Sequence, residues 1–277
     1  MSSPNVIISV GVPVFNCADY LQKCVRSIFD QTHRPVQIVL VDDGSTDSSP
    51  RMIEELRAEC PADMEMVVAA LEKSAGVSHA RNTVCELATG DYVFFMDSDD
   101  WIAPTCFEIL LNKAVEHEAD VCCGTFEFYN DENNRNVDPV TSGKTRFYPD
   151  NGALLRAYCD REIPVFIWNK LIRRSFLVES GLCFEESLKN DEDQLWCFRL
   201  VTRVQRWATT ADVTYHYRKN NPSSITAKSF TRRRLRNYYS VLRYMNAEIE
   251  GELCRDLDRS RLLAKAVYNF ARSILWH

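Results

Sequence analysis

The chain lacks the marks of several large functional classes. It has no excess of positive charge: 33 Lys and Arg stand against 39 Asp and Glu, a net charge of −6, which argues against general nucleic-acid binding. It has no apolar run near the roughly 18 residues that a membrane span requires, so any work at a membrane would be done from the side. It has no CxxC pair. Its 11 cysteines are odd in number and scattered, with only Cys122 and Cys123 adjacent, which is neither a zinc pattern nor a disulfide framework. No secretory leader is legible at the N-terminus, so the expectation is a cytoplasmic protein with reduced thiols. Repeats and low-complexity segments are absent too. What remains is an ordinary globular composition, 45% hydrophobic and 26% charged over 277 residues. That is enough for one large domain, or one domain with a small appendage.

Patterning supplies the architecture. Val6–Val10, Val36–Val41, Met66–Ala70 and Tyr92–Met96 are apolar and read as buried strands. Between them lie Tyr20–Asp30, Ser48–Glu59 and Val77–Ala88, with apolar residues at helical spacing, such as Leu21, Cys24, Val25 and Ile28. Alternating strand and helix is the pattern of a doubly wound parallel sheet. Beyond Met96 the rhythm loosens. A helix is expected over Pro104–Glu116, a strand over Val121–Tyr129 and a polar loop over Asn130–Ser142. Short helices follow at Gly152–Asp160, Ser175–Gly181 and Gln194–Val201, then a strand at Val213–Tyr217. From Phe230 two helices are expected, the first crowded with Arg232, Arg233, Arg234 and Arg236.

In an open parallel sheet the ligand lies beyond the carboxyl ends of the strands. The first strand is followed by Gly11-Val12-Pro13-Val14-Phe15-Asn16, the second by Asp42-Asp43-Gly44-Ser45-Thr46-Asp47, the fourth by Asp97-Ser98-Asp99-Asp100. Asp42 reads equally well as a turn residue, and Asp47 or Ser48 as the cap of the next helix. Two acidic clusters on one edge nevertheless exceed what capping uses. Carboxylates so close repel one another and call for a cation. A hard divalent ion prefers oxygen ligands, and of the magnesium type it sits between one or two carboxylates and substrate phosphates. A helix–loop–helix calcium site is excluded, because Trp101 stands where the third acid belongs and Ile102 where glycine is required.

Five blocks, "VIISVGVPVFNCADYLQKCVRSIFDQT", "IVLVDDGSTD", "GVSHARN", "TGDYVFFMDSDDW" and "NDEDQLW", together resemble family 2 glycosyltransferases of the GT-A fold. "FIWNKLIRRSFL" and "YHYRKNNPSSIT" carry the likeness to about Thr226. The resemblance implies an α/β, Rossmann-like GT-A fold: a mostly parallel central sheet flanked by helices, with a C-terminal helical extension. The catalytic domain would span 1–226, with a nucleotide-binding half over 1–101 and an acceptor half over 102–226, and the extension 227–277. The implied activity is an inverting, non-processive transfer of one sugar from a nucleotide-diphosphate sugar, expected to be UDP-linked. The acceptor would be a hydroxyl of a glycan or lipid-linked saccharide.

The roles it implies fall on named positions. Pro13 and Phe15 would cradle the base, Asp43 would read a uracil NH, and Arg81 would serve the nucleotide. Asp97 would face the ribose or share the metal, with Ser98 as filler. Asp99 would lead in holding manganese or magnesium, with Asp100 a further candidate ligand. Asp193 would be the general base, with Glu192 contacting the acceptor or raising the proton affinity of Asp193 by like-charge repulsion. Trp168 could stack on a sugar or support the sheet; His216 and Arg218 could approach the diphosphate. A salt bridge to a neighbouring carboxylate is the plainer reading of Arg81. The arginine-rich helix could be a solvated face or a dock on anionic lipid at the inner face of a membrane. "RVQRW" is not the QxxRW of processive synthases, because Gln205 and Arg206 are adjacent.

Other classes fit less well. A phosphorelay receiver or a haloacid-dehalogenase-type phosphatase would carry its acids after the first strand. A sugar nucleotidylyltransferase would open with a Gly-rich basic loop. A non-catalytic nucleotide-sugar-binding relative is the remaining alternative, and acids at both the metal and the base positions argue against it.

Overall fold

The computed structural model describes residues 6–130, 135–137, 143–160, 162–163, 166–188, 191–219 and 232–250. Its first half alternates β1 (Ile8–Val14), α1 (Ala18–Phe29), β2 (Val36–Asp42), α2 (Ser49–Glu59), β3 (Met64–Ala70), α3 (Val77–Leu87) and β4 (Tyr92–Phe95). Then come β5 (Trp101–Ile102), α4 (Cys106–Glu116), β6 (Val121–Asn130), β7 (Arg135–Val137), β8 (Arg146–Tyr148) and α5 (Asn151–Cys159). The last elements are β9 (Lys170–Arg173), α6 (Arg174–Ser180), α7 (Glu192–Arg203), β10 (Trp207–Lys219) and α8 (Arg232–Glu250).

All described strands join one sheet in the order β3-β2-β1-β4-β9-β6-β10-β5, with β7 on β6 and β8 on β10. Pairing is parallel from β3 to β4 and again between β6 and β10. β9 enters antiparallel between β4 and β6 and welds the two halves together. β1 and β2 are buried at every position, as strands covered on both faces must be. α1 packs with Leu21, Cys24, Val25 and Ile28, the spacing of a single helical stripe. α3 lies so close to β1 that a Cβ on Gly11 would sit 2.1 Å from a methyl of Val84, so the first strand admits only glycine there.

Differences from the sequence expectation have physical causes. β1 runs to Val14 because its register with β2 continues through Pro13 opposite Val41 and Val14 opposite Asp42. β10 is 13 residues long, whereas Val213–Tyr217 was the strand expected. Two register shifts against β6, around Val213, break the alternation that would have revealed its first part. β5, β8 and β9 escape notice because each has four residues or fewer, too short for a period. The polar stretch after Asn130 contains β7, paired antiparallel to β6. The first C-terminal helix is α8. The second falls outside the described residues, as do the side chains of Arg232, Arg233, Arg234 and Arg236. Among the described residues no helix is long and apolar enough to cross a membrane.

Candidate active site

β1, β2 and β4 are parallel neighbours, so the segments after them share one edge. Phe15 stands out there: it is 50% exposed although it follows a strand that is wholly buried. Asn16 takes a left-handed backbone, φ 48°, and its Oδ1 accepts from the Thr46 N–H at 2.8 Å, which ties the first loop to the second. Asp42 accepts from the Ser45 N–H at 3.0 Å and closes a turn. Asp47 caps both helices, accepting from the N–H groups of Ser49 and Ala18. Gly44 follows at φ 72°, where a Cβ would lie 2.7 Å from the Ser74 nitrogen.

Asp43 is 4% exposed. Its carboxylate accepts from the Ser74 hydroxyl at 2.7 Å, the Ala75 N–H at 2.7 Å and the Gly76 N–H at 3.0 Å. It thereby holds the loop before α3.

The acids after β4 divide their labour through space. Asp100 is 1% exposed; it accepts from the Tyr215 hydroxyl at 2.7 Å and from the Arg218 N–H at 2.8 Å. Burial raises its pKa well above the usual carboxylate range, and the charges of Asp99 and Asp97 add to the rise. Both Asp100 oxygens are engaged inside the wall, which leaves Asp97 and Asp99 as the more accessible acids of the turn. Asp97 and Asp99 are half-buried. The Tyr215 hydroxyl also accepts from the Asp97 N–H at 3.2 Å, and Arg218 Nε donates to the Asp99 carbonyl at 2.9 Å. Ser98 sits against the Cys17 thiol.

Arg81 joins the two ends of the site. It is 6% exposed and donates to Glu192 at 2.9 Å and to Asp97 at 3.2 Å. Burial works against its charge, but Asp97, Glu192 and Asp193 outweigh it and raise its pKa. The salt-bridge reading of Arg81 is the one the geometry supports. Asp193 lies in the first turn of α7, half-buried beside this pair. Desolvation, followed by the Glu192 charge, pushes its pKa up to about 7, with Arg81 pulling the other way. Asp191 before it holds a left-handed backbone, φ 59°.

Trp168 is not offered to solvent. It is 6% exposed and stacks on Phe166 and Tyr215, with centroids 4.6 Å away in both cases. Of the two readings of Trp168, the packing fits a support of the sheet. His216 stacks on Trp101 at 5.2 Å and bonds Glu127 at 2.6 Å, so its ring is committed to neighbours within the wall; burial lowers its pKa and favours the neutral form. Arg218 is 8% exposed and lies over the rings of Tyr20 and Trp101 while gripping the Asp99–Asp100 segment. Tyr215 went unnoticed in the sequence, although its motif "YHYR" drew attention to its neighbours.

Among the described residues no three His, Cys, Asp or Glu side chains converge as a closed cage. The two partly exposed acids of the turn, Asp97 and Asp99, suit a hard ion completed by substrate phosphate and water.

Known proteins share these features. The model of the glycosyl transferase family 2 matches residues 9–181. The uncharacterized glycosyltransferase EpsJ of Bacillus subtilis is 26% identical over 221 residues, 79% of this chain and 63% of that protein. Glycosyltransferase GlyA of Streptococcus pneumoniae is 42% identical over 125 residues, 45% of this chain and 17% of that protein. The chain thus spans less than two thirds of the length of these relatives. Among solved structures, S. aureus TarS 1–349 in complex with UDP-GlcNAc superposes with a TM-score of 0.78 at 25% identity, covering 96% of this chain and 74% of that one.

Proposed function

The chain belongs to glycosyl transferase family 2, and from that premise we propose that it transfers one sugar from a UDP-sugar to a hydroxyl of a glycan or lipid-linked saccharide, with inversion. The observation that carries the proposal is the Arg81 bridge, which brings the Asp97–Asp100 turn and the first turn of α7 together although 111 residues separate Arg81 from Glu192. A donor diphosphate near Asp97 and Asp99 and an acceptor near Asp193 would then share a single reacting centre. The UDP-GlcNAc bound by the TarS neighbour supports the choice of nucleotide.

Each residue then has a task. The exposed Phe15 ring and the backbone at Pro13 receive the base, beside the loop that Asp43 holds. Asp97 and Asp99 would hold a manganese or magnesium ion, which when bound stabilises charge on the departing diphosphate. Arg218 keeps Asp99 in place. Asp193 accepts the proton of the acceptor hydroxyl as its oxygen bonds the anomeric carbon and the bond to the diphosphate breaks. A base with a pKa near 7 is matched to that task at neutral pH. Glu192, paired with Arg81, keeps negative charge beside Asp193 and so keeps its proton affinity high. The division into a catalytic domain, 1–226, and an extension, 227–277, belongs to this reading. So does lipid contact through Arg232, Arg233, Arg234 and Arg236. Thermal shift against a panel of UDP-sugars with manganese tests the donor, because bound ligand raises apparent stability by mass action. No shift with any of them would overturn the reading. Binding without turnover on any acceptor would favour a non-catalytic relative.

A further inference from the structure

α8 touches the chain on both sides of the candidate base. After it, Arg199 and Arg203 of α7 donate to the two carboxylate oxygens of Glu248, at 2.9 and 2.7 Å. The three side chains are between 16% and 20% exposed, so the clamp is largely shielded from water. Before the base, the Tyr244 and Ser187 hydroxyls meet at 3.3 Å, and Arg199 lies 3.9 Å from Glu185 while its guanidinium covers the Tyr244 ring. Val241 and Met245, at 0% and 4% exposure, seat the same turns of α8 in the core. α3 holds the opposite side: Asn82 bonds the N–H and the carbonyl of Phe184, and His79 bonds Glu186. Between these anchors the loop turns through Asp191 in a left-handed backbone, a conformation that surrounding contacts must maintain.

We propose that Glu248 and Tyr244 are positioning residues for Asp193, through which a C-terminal helix outside the matched family segment sets the angle at which the base meets the acceptor hydroxyl. The proposal rests on the reading of Asp193 as the base. Without Glu248 the two guanidiniums lose their shared partner, and α7 is free to tilt as a rigid rod with Asp193 at its end. The donor side is built on β1, β2 and β4, whereas the α8 contacts described above fall on α7 and on residues 185 and 187, so donor binding should change less than turnover. Misplacing a reacting group by about 1 Å can cost about 10²-fold in rate.

The test uses Glu248→Ala and Tyr244→Phe in the 277-residue chain, with Glu59→Ala as control for an exposed ion pair, Arg26–Glu59, remote in the fold. Glu248→Ala should lower kcat by about 10- to 100-fold with donor KM within about twofold, and speed hydrogen exchange of the 185–196 segment. Tyr244→Phe, which removes one hydroxyl and keeps the helix packed, should move both readouts in the same direction even if Glu248→Ala folds poorly. The control should move neither. Unchanged exchange over 185–196, or faster exchange with unchanged kcat, would overturn the positioning role. Near-normal turnover by Asp193→Asn would instead sink the base assignment, and exchange would then still tell whether α8 holds the loop.

Discussion

Asp193→Asn should make the protein both slower and more stable, and the two effects have one cause. The carboxyl is half-buried beside Glu192, and its pKa rises from the ordinary 3.8 to about 7. An acid whose folded pKa is raised binds a proton in the folded state that the unfolded chain has already released. Its contribution therefore falls as pH climbs from about 4, and above about 7 the full cost is present. Three units correspond to about 4 kcal/mol at most, and sharing with Arg81 and Glu192 brings the expected cost to about 2–4 kcal/mol. Asparagine keeps the shape and removes the charge. At pH 8 the variant should unfold at a higher temperature by about 5–10 °C, and at pH 4 the difference should vanish. Turnover should fall at least about 10²-fold while donor still binds, and the wild-type rate should climb with pH and level off above about 7. Urea or thermal unfolding at the two pH values, with a coupled UDP-release assay, gives all three readings. Equal or lower stability of the variant at pH 8 would show that the carboxylate is not desolvated, and the argument for a base poised at neutrality would fail.

Other predictions are simpler. Asp99→Ala should abolish the metal dependence of donor binding in calorimetry; unchanged affinity with manganese would refute its role. Arg81→Met leaves Glu192 and Asp97 without their buried partner and should cost about 3 kcal/mol of unfolding free energy in urea near pH 7; an unchanged midpoint would show that the bridge does not hold the two segments together. Phe15→Ala should weaken UDP binding by about 10-fold yet leave stability nearly unchanged, since half of the ring already faces water; an unaltered donor KM would remove Phe15 from the base site. Replacing Arg232, Arg233, Arg234 and Arg236 with Glu should abolish sedimentation with anionic liposomes, and equal binding by both proteins would end the docking idea.

Much of the molecule was legible in order along the chain. Apolar periodicity marked the helices and strands of the first half because each is covered on one stripe or on both faces, and that requirement writes itself locally. The order and spacing of five motif blocks, among them the Asp97–Asp100 turn after the fourth strand and the acidic run ahead of a later helix, were enough to place the family. Short strands were illegible, because two to four residues carry no period, and β10 hid its length behind register shifts.

The sequence by itself determined the α/β order, the edge on which the acids gather and the identity of the base candidate. Only the tertiary structure decided what each acid touches. Asp100 is drawn inside by Tyr215 and Arg218, 115 and 118 residues away, while Asp97 is paired by Arg81 and Asp43 is taken by Ser74–Gly76. Trp168 became a support because Phe166 and Tyr215 close over its faces. The reason is physical: proton affinity and ion pairing follow distance and burial in space, and neither is encoded in the spacing of neighbours along the chain.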